Sequence, residues 1–185
     1  MYIVEKYNEY QKKEILVKKI IFIKTLTLFL LKYKKHSLAI QIPYLNYKAL
    51  LNYNGKKSIL LSFDKTIEKD SNILNKLFEL ENNISLKVKK ILKKRLNINT
   101  SLIVFKSSFR TFDDNIVNLK ININEKKKPI AFNKNKELID FENNLINNTK
   151  IKTIIDINTV WYKDGIYGIN WKLLQLKNNY RFKID

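Results

Sequence analysis

The stretch NTVWYKDGIYGINWKLLQLK, residues 158–177, carries the strongest hairpin signal in this 185-residue chain. It contains both tryptophans of the chain and two of its three glycines. Asp164 and Gly165 separate two runs that alternate apolar and polar residues, which indicates a β-hairpin with a type I′ turn. Gly165 supplies the positive φ angle that this turn requires. The sequence therefore predicts paired strands over 151–163 and 166–177.

A two-residue loop also fixes the register of this hairpin and sorts its side chains onto two faces. Lys163 then pairs with Ile166, and Trp161 pairs with Gly168. The predicted core face carries Val160, Tyr162, Tyr167, Ile169, Trp171 and Leu173. The opposite face is polar and basic around one indole, and it carries Trp161, Lys163, Gly168, Asn170 and Lys172.

Gly168 lets a flat group lie on the sheet, and two kinds of group fit this position. One is the Trp161 indole, which would cover its cross-strand glycine. The other is a planar ligand stacked beside that indole. A tryptophan on a lysine-rich strand face can stack on nucleic-acid bases while ammonium groups hold the phosphates. Trp171 is expected in the core.

The charge of the chain points to a polyanionic partner. Lys and Arg number 36 against 17 Asp and Glu, which gives a net charge of +19. A positive field of this size attracts nucleic acid, although the abundance of Lys, Asn and Ile also reflects A/T-rich codons. The arginines are Arg95, Arg110 and Arg181. Because base-edge recognition relies on the guanidinium group, a lysine-dominated chain favours contacts to the backbone irrespective of sequence.

Several other classes of protein are disfavoured. The chain has no cysteine, and the apolar stretch 15–31 is interrupted by Lys18, Lys19 and Lys24, unlike a membrane span. His36 is the only histidine, and no glycine-rich phosphate loop or nucleophile motif is present. We therefore expect no enzyme activity, no cofactor, no metal site and no membrane partner, with a cytoplasmic location as the default.

The rest of the chain predicts strands, one long helix and one domain over 1–185. Ser71 is the expected N-cap of a helix whose apolar stripe is Ile73, Leu77, Leu80, Ile84, Val88 and Ile91. Strands are predicted over 20–31, 38–42 (ended by Pro43), 58–63, 101–105 and 116–123. Residues 125–129 are expected to form a loop, 135–147 a short helix, and 1–14 a loose arm or a short helix. This order predicts a mainly β fold, an OB-like small barrel with one long helix inserted between strands (α+β).

Two further stretches mix aromatic and basic residues. The segment 104–112 interleaves Phe105 and Phe109 with Lys106 and Arg110, which indicates a second stacking strip. Its alternative reading is that the phenylalanines are core residues and the cations are solvated. The run 32–36 has the same two readings, and it adds Tyr33, Lys34 and Lys35 to the candidate nucleic-acid-binding residues.

The closing segment VWYKDGIYGINWKLLQLK resembles the C-terminal strands of single-stranded-DNA-binding proteins from DNA phages and large cytoplasmic DNA viruses. With its Lys/Asn/Ile bias, the chain looks like the related protein of yeast cytoplasmic linear (killer-type) plasmids. The resemblance implies an OB-like barrel that coats single strands during protein-primed replication. It carries over the residues Trp161, Tyr162, Lys163, Tyr167, Gly168 and Trp171. The chain ends in YRFKID, which departs from the acidic tail with which the phage proteins recruit partners.

The leading hypothesis is sequence-independent binding and protection of single-stranded DNA during replication, with lysines on phosphates and aromatic rings on bases. RNA is a possible second ligand, and replication proteins of the same element and further copies of the chain are possible partners. Two alternatives stay open. One is a duplex-end or RNA-binding factor of the terminal-recognition or ribosomal type. The other is a structural, self-assembling protein of a virus-like element.

Overall fold

The computed structural model describes residues 2–99 and 101–178, in which β-strands predominate and eleven of them join one sheet. In chain order the strands are β1 Tyr2–Lys6, β2 Ile15–Ile23, β3 Leu26–Tyr33, β4 Ser37–Tyr53, β5 Lys56–Asp64, β6 Val104–Phe105, β7 Phe109–Thr111, β8 Ile116–Asn122, β9 Ile130–Phe132, β10 Lys150–Lys163 and β11 Ile166–Asn178. The helices are α1 Glu68–Leu96 and α2 Phe141–Asn144, and Lys12–Glu14 form a short 3₁₀ turn.

Five of these strands close into a barrel. β4 pairs with β5, β5 with β8, β8 with β11 and β11 with β10, and β10 pairs back with β4. The β8–β11 pair is parallel and meets at Asn122 and Lys172, whereas the other four pairs are antiparallel. α1 is inserted between β5 and β8, the second and third barrel strands. The predicted mainly β, OB-like barrel with one long inserted helix is confirmed.

The β10–β11 hairpin has the predicted register. Lys163 pairs with Ile166, and Trp161 pairs with Gly168. Asp164 has φ 49° and Gly165 has φ 78°, and positive φ at both central residues is what a type I′ turn requires. The local turn chemistry therefore determined which side chains share a face.

β2 and β3 form a hairpin where the sequence predicted a single strand over 20–31. The chain reverses at Lys24, whose φ is 50°. Neither Lys24 nor Thr25 is a typical turn residue, so the sequence gives little signal for the reversal. β3 pairs with the distal part of β10, which extends the sheet beyond the barrel.

β4 continues through Pro43, where the sequence predicted an end. The strand spans Ser37–Tyr53, and its pairing with β10 shifts register between Ile151 and Thr153. Thr153 pairs with Ile42 and Ile151 with Leu45, so Pro43 lies at this irregularity. Proline is tolerated inside a sheet at a bulge because no ladder hydrogen bond is lost there.

The apolar stripe of α1 seals one side of the barrel. All the residues predicted for that stripe are buried except Ile91, which is half-buried. The helix begins at Glu68 with Ile67 as its N-cap, so the N-cap predicted at Ser71 is wrong by one turn. Ile67 makes no side-chain capping bond, which explains why the usual N-cap signal was absent at that position. Within the described residues no helix is long and apolar enough to cross a membrane.

The remaining elements are shorter than the sequence indicated, or different in kind. Only Val104–Phe105 of the predicted strand 101–105 is paired, and only Phe141–Asn144 of the predicted helix 135–147 is helical. Within 1–14, where an arm or a short helix was expected, Tyr2–Lys6 form β1 in parallel with β4. β1 takes its pairing from β4, a partner that local sequence does not specify.

Candidate nucleic-acid interface

The indole of Trp161 lies on the backbone of Gly168. A Cβ atom added at Gly168 would come within 3.0 Å of Cζ2 of the Trp161 ring and within 2.8 Å of the Lys106 carbonyl oxygen. Any larger residue would therefore displace both groups. Trp161 is half-buried, so part of the ring remains accessible after it has covered the glycine.

The two faces of the hairpin divide as the register predicted. Trp171 is fully buried, and its ring lies edge-on to that of Phe109 with centroids 5.9 Å apart. Lys163 is exposed, and Asn170 and Lys172 are half-buried on the face of Trp161. The single indole on the solvated face is therefore available to a ligand, whereas the second serves the core.

A cavity of about 140 Å³ opens beside Trp161. It collects three cations from two segments that are distant from the hairpin in sequence. Its lining consists of Lys106, Ser107, Ser108, Arg110, Lys120, Asn122, Trp161 and Ile169. Positive charge and an aromatic face thus meet in one recess, which suits a ligand that has both phosphate and planar groups.

The 106–110 segment owes its position to backbone bonds on both sides. The Lys106 amide donates to the Tyr167 carbonyl at 2.7 Å, and the Lys120 amide donates to the Ser108 carbonyl at 3.0 Å. Phe109 turns into the core, where its ring centroid lies 6.2 Å from that of the buried Phe63. Its neighbours Lys106 and Arg110 are exposed, because side chains alternate along an extended segment.

A buried carboxylate on α1 supports the same segment. Glu81 is 3% exposed and accepts hydrogen bonds from the Ser107 hydroxyl at 2.5 Å and the Ser108 amide at 3.1 Å. Burial raises the pKa of Glu81, while these two donors and the nearby Trp171 indole oppose that rise. The Trp171 Nε1 makes no well-formed hydrogen bond, so its effect on Glu81 is that of a nearby dipole.

A second, larger cleft of about 450 Å³ adjoins the first. The Asn122 side chain belongs to both, and its amide donates to the Asn170 side-chain oxygen at 2.9 Å. The cleft is lined by Lys56, Lys57, Asn122, Ile123, Asn124, Glu125, Lys126, Asn170 and Lys172. Lys57 also forms an ion pair with Glu142 at 2.5 Å, which raises the pKa of the lysine. The two recesses together form a basic groove across β8 and β11.

The structure places other predicted site residues outside this groove. Tyr33, Phe109 and Tyr167 are buried in the core, so their rings cannot stack on a ligand, which corrects the sequence-based assignment. Phe105 packs on Tyr167 with ring centroids 5.1 Å apart, and Tyr162 packs against the core face. None of these five side chains lines either recess of the groove.

Lys34 and Lys35 also lie away from the groove. Leu28 of β3 pairs with Trp161, whereas Tyr33 ends that strand five residues later, a rise of about 17 Å. Lys34 lies over the Tyr33 ring at 5.0 Å and 3.9 Å from Glu5. The basic run 32–36 therefore belongs to the opposite end of β3.

The groove residues that sequence reasoning missed include Lys56, Lys57, Lys120, Asn122 and Lys126. The alternation along β8 could have indicated that Lys120 and Asn122 share an outward face. No local pattern could have placed that face beside Trp161, because Asn122 meets Lys172 through a single parallel pairing between distant strands.

The chain is similar to known proteins in structure and not in sequence. No family model and no curated protein matches the sequence. The single-stranded DNA-binding protein from bacteriophage Enc34 has a TM-score of 0.55 at 15% identity, covering 91% of this chain and 97% of that one. Its complex with ssDNA has a TM-score of 0.53 at 14% identity, covering 92% and 98%. Bacteriophage T7 gp2.5, also a single-stranded DNA-binding protein, has a TM-score of 0.53 at 7% identity, covering 80% and 97%. At sequence identities of 7% to 15%, this structural similarity establishes the fold alone.

Proposed function

We propose that this protein binds single-stranded DNA without sequence dependence. The observation that carries this function is the half-buried Trp161 indole beside Lys106, Arg110 and Lys120 in one recess. The indole would stack on a base, and the cations would neutralise the adjacent phosphates. Structural similarity to proteins that bind single strands, one of them in complex with ssDNA, supports the same function.

The position of the groove on the barrel supports this ligand. OB barrels bind oligonucleotides on the face of their second and third strands, flanked by the loops between strands one and two and between strands four and five. In this chain those strands are β5 and β8. The flanking loops are the turns at Asn54-Gly55 and Asp164-Gly165. Lys57, Lys120 and Asn122 project from β5 and β8 into the groove.

The composition of the groove favours backbone contacts. Its cations are lysines except for Arg110, and lysine binds phosphate as a point charge without reading base edges. Stacking on Trp161 is equally tolerant, since every base offers an aromatic face. We therefore extend the proposal to the coating and protection of single strands during replication, without enzyme activity.

The biological setting belongs to the same proposal. The resemblance of residues 160–177 and the Lys/Asn/Ile bias favour an origin in yeast cytoplasmic linear plasmids. The protein would then act in the cytoplasm, and its residues 1–185 would form a single domain. Replication proteins of that element and further copies of the chain are the partners that such a role would require.

Competition binding tests the function directly. A labelled oligo-dT is titrated with the protein, and unlabelled dT, duplex DNA and single-stranded RNA then compete at matched salt. Oligo-dT should compete best. Better competition by duplex or RNA would favour a duplex-end or RNA-binding factor. If the chain binds none of the three and self-associates, the structural alternative replaces the proposal.

A further inference from the structure

Glu81 is a buried acid in a protein of net charge +19, and the groups that act on its carboxylate are neutral. They are the Ser107 hydroxyl, the Ser108 amide and the Trp171 indole. Burying a carboxylate that is held by neutral donors costs free energy. A glutamate in such a place calls for an explanation beyond helix packing, because an apolar side chain would fill the core at lower cost.

We infer that Glu81 is a positioning residue, which clamps the 106–110 segment so that Lys106 and Arg110 flank Trp161. This inference rests on the proposed function. Both carboxylate oxygens are engaged, Oε2 by Ser107 and Oε1 by Ser108. The clamped serines lie between the two cations in the chain, so the carboxylate fixes the segment at its middle.

Other bonds make the clamp effective. The Ser107 hydroxyl that donates to Glu81 also accepts from the Phe109 amide at 3.0 Å, and the Ser108 hydroxyl donates to the Ile169 carbonyl at 3.3 Å. Glu81 thereby orients the hydroxyl that in turn orients Phe109. Loss of the carboxylate would leave the Ser107 and Ser108 donors without their acceptor, and the segment would have to shift to satisfy them.

The decisive experiment compares Glu81→Ala with a matched control, Asp70→Ala. Asp70 is also a buried acid on α1, 7% exposed, and it accepts from the Asp64 amide at 3.3 Å instead of from the 106–110 segment. The salt dependence of oligo-dT affinity is measured for both variants. Glu81→Ala should make the slope of log affinity against log salt shallower by about 0.7 to 1.4, for one or two lost phosphate contacts. Asp70→Ala should leave the slope unchanged.

Rescue and exchange measurements separate positioning from general destabilisation. Glu81→Gln should keep the wild-type slope, because the amide can accept from Ser108 and donate to Ser107. Hydrogen exchange at the Ser108 amide, measured without DNA, should accelerate in Glu81→Ala and stay slow in Asp70→Ala. Should Glu81→Ala fail to fold, Ser107→Ala removes one of the two clamping bonds from the loop side and should reduce the slope in the same direction.

A double-mutant cycle completes the test. In a background where Lys106 and Arg110 are both alanine, Glu81→Ala should cause no further loss of affinity, because it acts through those cations. An unchanged slope in folded Glu81→Ala or Ser107→Ala, or an additive loss in the cycle, overturns the positioning role. Wild-type protein with no salt-dependent affinity for oligo-dT overturns the proposed function instead, and the Ser108 exchange rate still reports whether the clamp exists.

Discussion

Trp161 and Trp171 lie on the two strands of one hairpin and face opposite sides of the sheet. The first covers Gly168 and faces the groove, while the second is fully buried against Phe109. Residues of one type therefore have separable roles, which single substitutions can distinguish.

Trp161→Ala should impair binding with little effect on folding. Loss of one base–aromatic stack is expected to weaken oligo-dT binding by about 1–3 kcal/mol and to abolish the fluorescence quenching that stacking causes. Tryptophan emission measures the quenching, and titration of a labelled oligo-dT measures the affinity independently of it. Trp161→Phe is the control and should retain part of the affinity.

Trp171→Ala should have the reverse effect. Truncation of a fully buried aromatic side chain is expected to cost about 3–5 kcal/mol of unfolding free energy, as measured by denaturant titration. If instead Trp171→Ala spares the fold and abolishes binding, the two faces are exchanged, and Lys163 and Lys172 lose their place beside the bases.

The buried carboxylate of Glu81 should make stability depend on pH. Burial raises its pKa in the folded state above the ordinary value of 4.5, so the native state binds the proton more tightly than the unfolded state does. The stability that Glu81 contributes is fully present below the pKa of its carboxyl in the unfolded protein. It is lost as pH rises through the pKa of that carboxyl in the folded protein. Unfolding free energy should therefore fall as pH rises above about 4.5.

Glu81→Gln should remove the contribution of the Glu81 carboxyl to the pH dependence of unfolding free energy, because the amide does not titrate. Burial also raises the pKa of Asp156, which lies across β10–β11 from Lys172 and accepts from the Tyr2 hydroxyl at 3.2 Å. Asp156 therefore lowers the unfolding free energy with rising pH in the same direction as Glu81. Because Asp156 is present in both proteins, the difference between the pH profiles of wild type and Glu81→Gln reports Glu81 alone. Parallel pH profiles for the two proteins would contradict the assignment.

At the scale of elements, the turn between β10 and β11 determines the register on which the groove depends. Gly165→Val should destabilise the protein by about 1–3 kcal/mol, because a β-branched residue resists a positive φ angle. Thermal denaturation measures the loss. Asp164→Asn is the matched control, since asparagine tolerates the same conformation. An unchanged melting temperature for Gly165→Val would mean that this turn does not constrain the hairpin.

The other elements show which features local sequence patterns predict and which they do not. The period of α1 identified its buried stripe, because helix amphipathicity repeats within a few residues. The break between β2 and β3 and the passage of β4 through Pro43 escaped prediction. In both cases the neighbouring strands satisfy a backbone that the local sequence alone would not favour.

At the scale of the whole molecule, the net charge of +19 should govern affinity. Each phosphate that a cation neutralises releases counterions, so log affinity for single strands should fall with log salt by about 0.7 per contact. Oligo-dT titrations from low to physiological salt measure this slope. Charge reversal at Lys120, inside the groove, should reduce the slope more than reversal at Lys34, which lies at the far end of β3. A flat profile would contradict the nucleic-acid function.

Local sequence and composition were enough to specify the β10–β11 register, the two faces of that hairpin, the stripe of α1 and the basic character of the chain. These features follow from interactions between residues close in sequence, or from composition alone. They were sufficient to place Trp161 on the solvated face and Trp171 in the core.

The residues that surround Trp161 are set by packing between distant parts of the chain. Closure of the barrel pairs β8 with β11 in parallel and brings Lys120 and Asn122 to the hairpin. The same packing turns Phe109 inward and sets Glu81 beneath Ser107 and Ser108. Pairing between distant strands is selected by burial over the whole sheet, whereas the periodicity of one segment specifies which of its faces is buried but not which strand it pairs with.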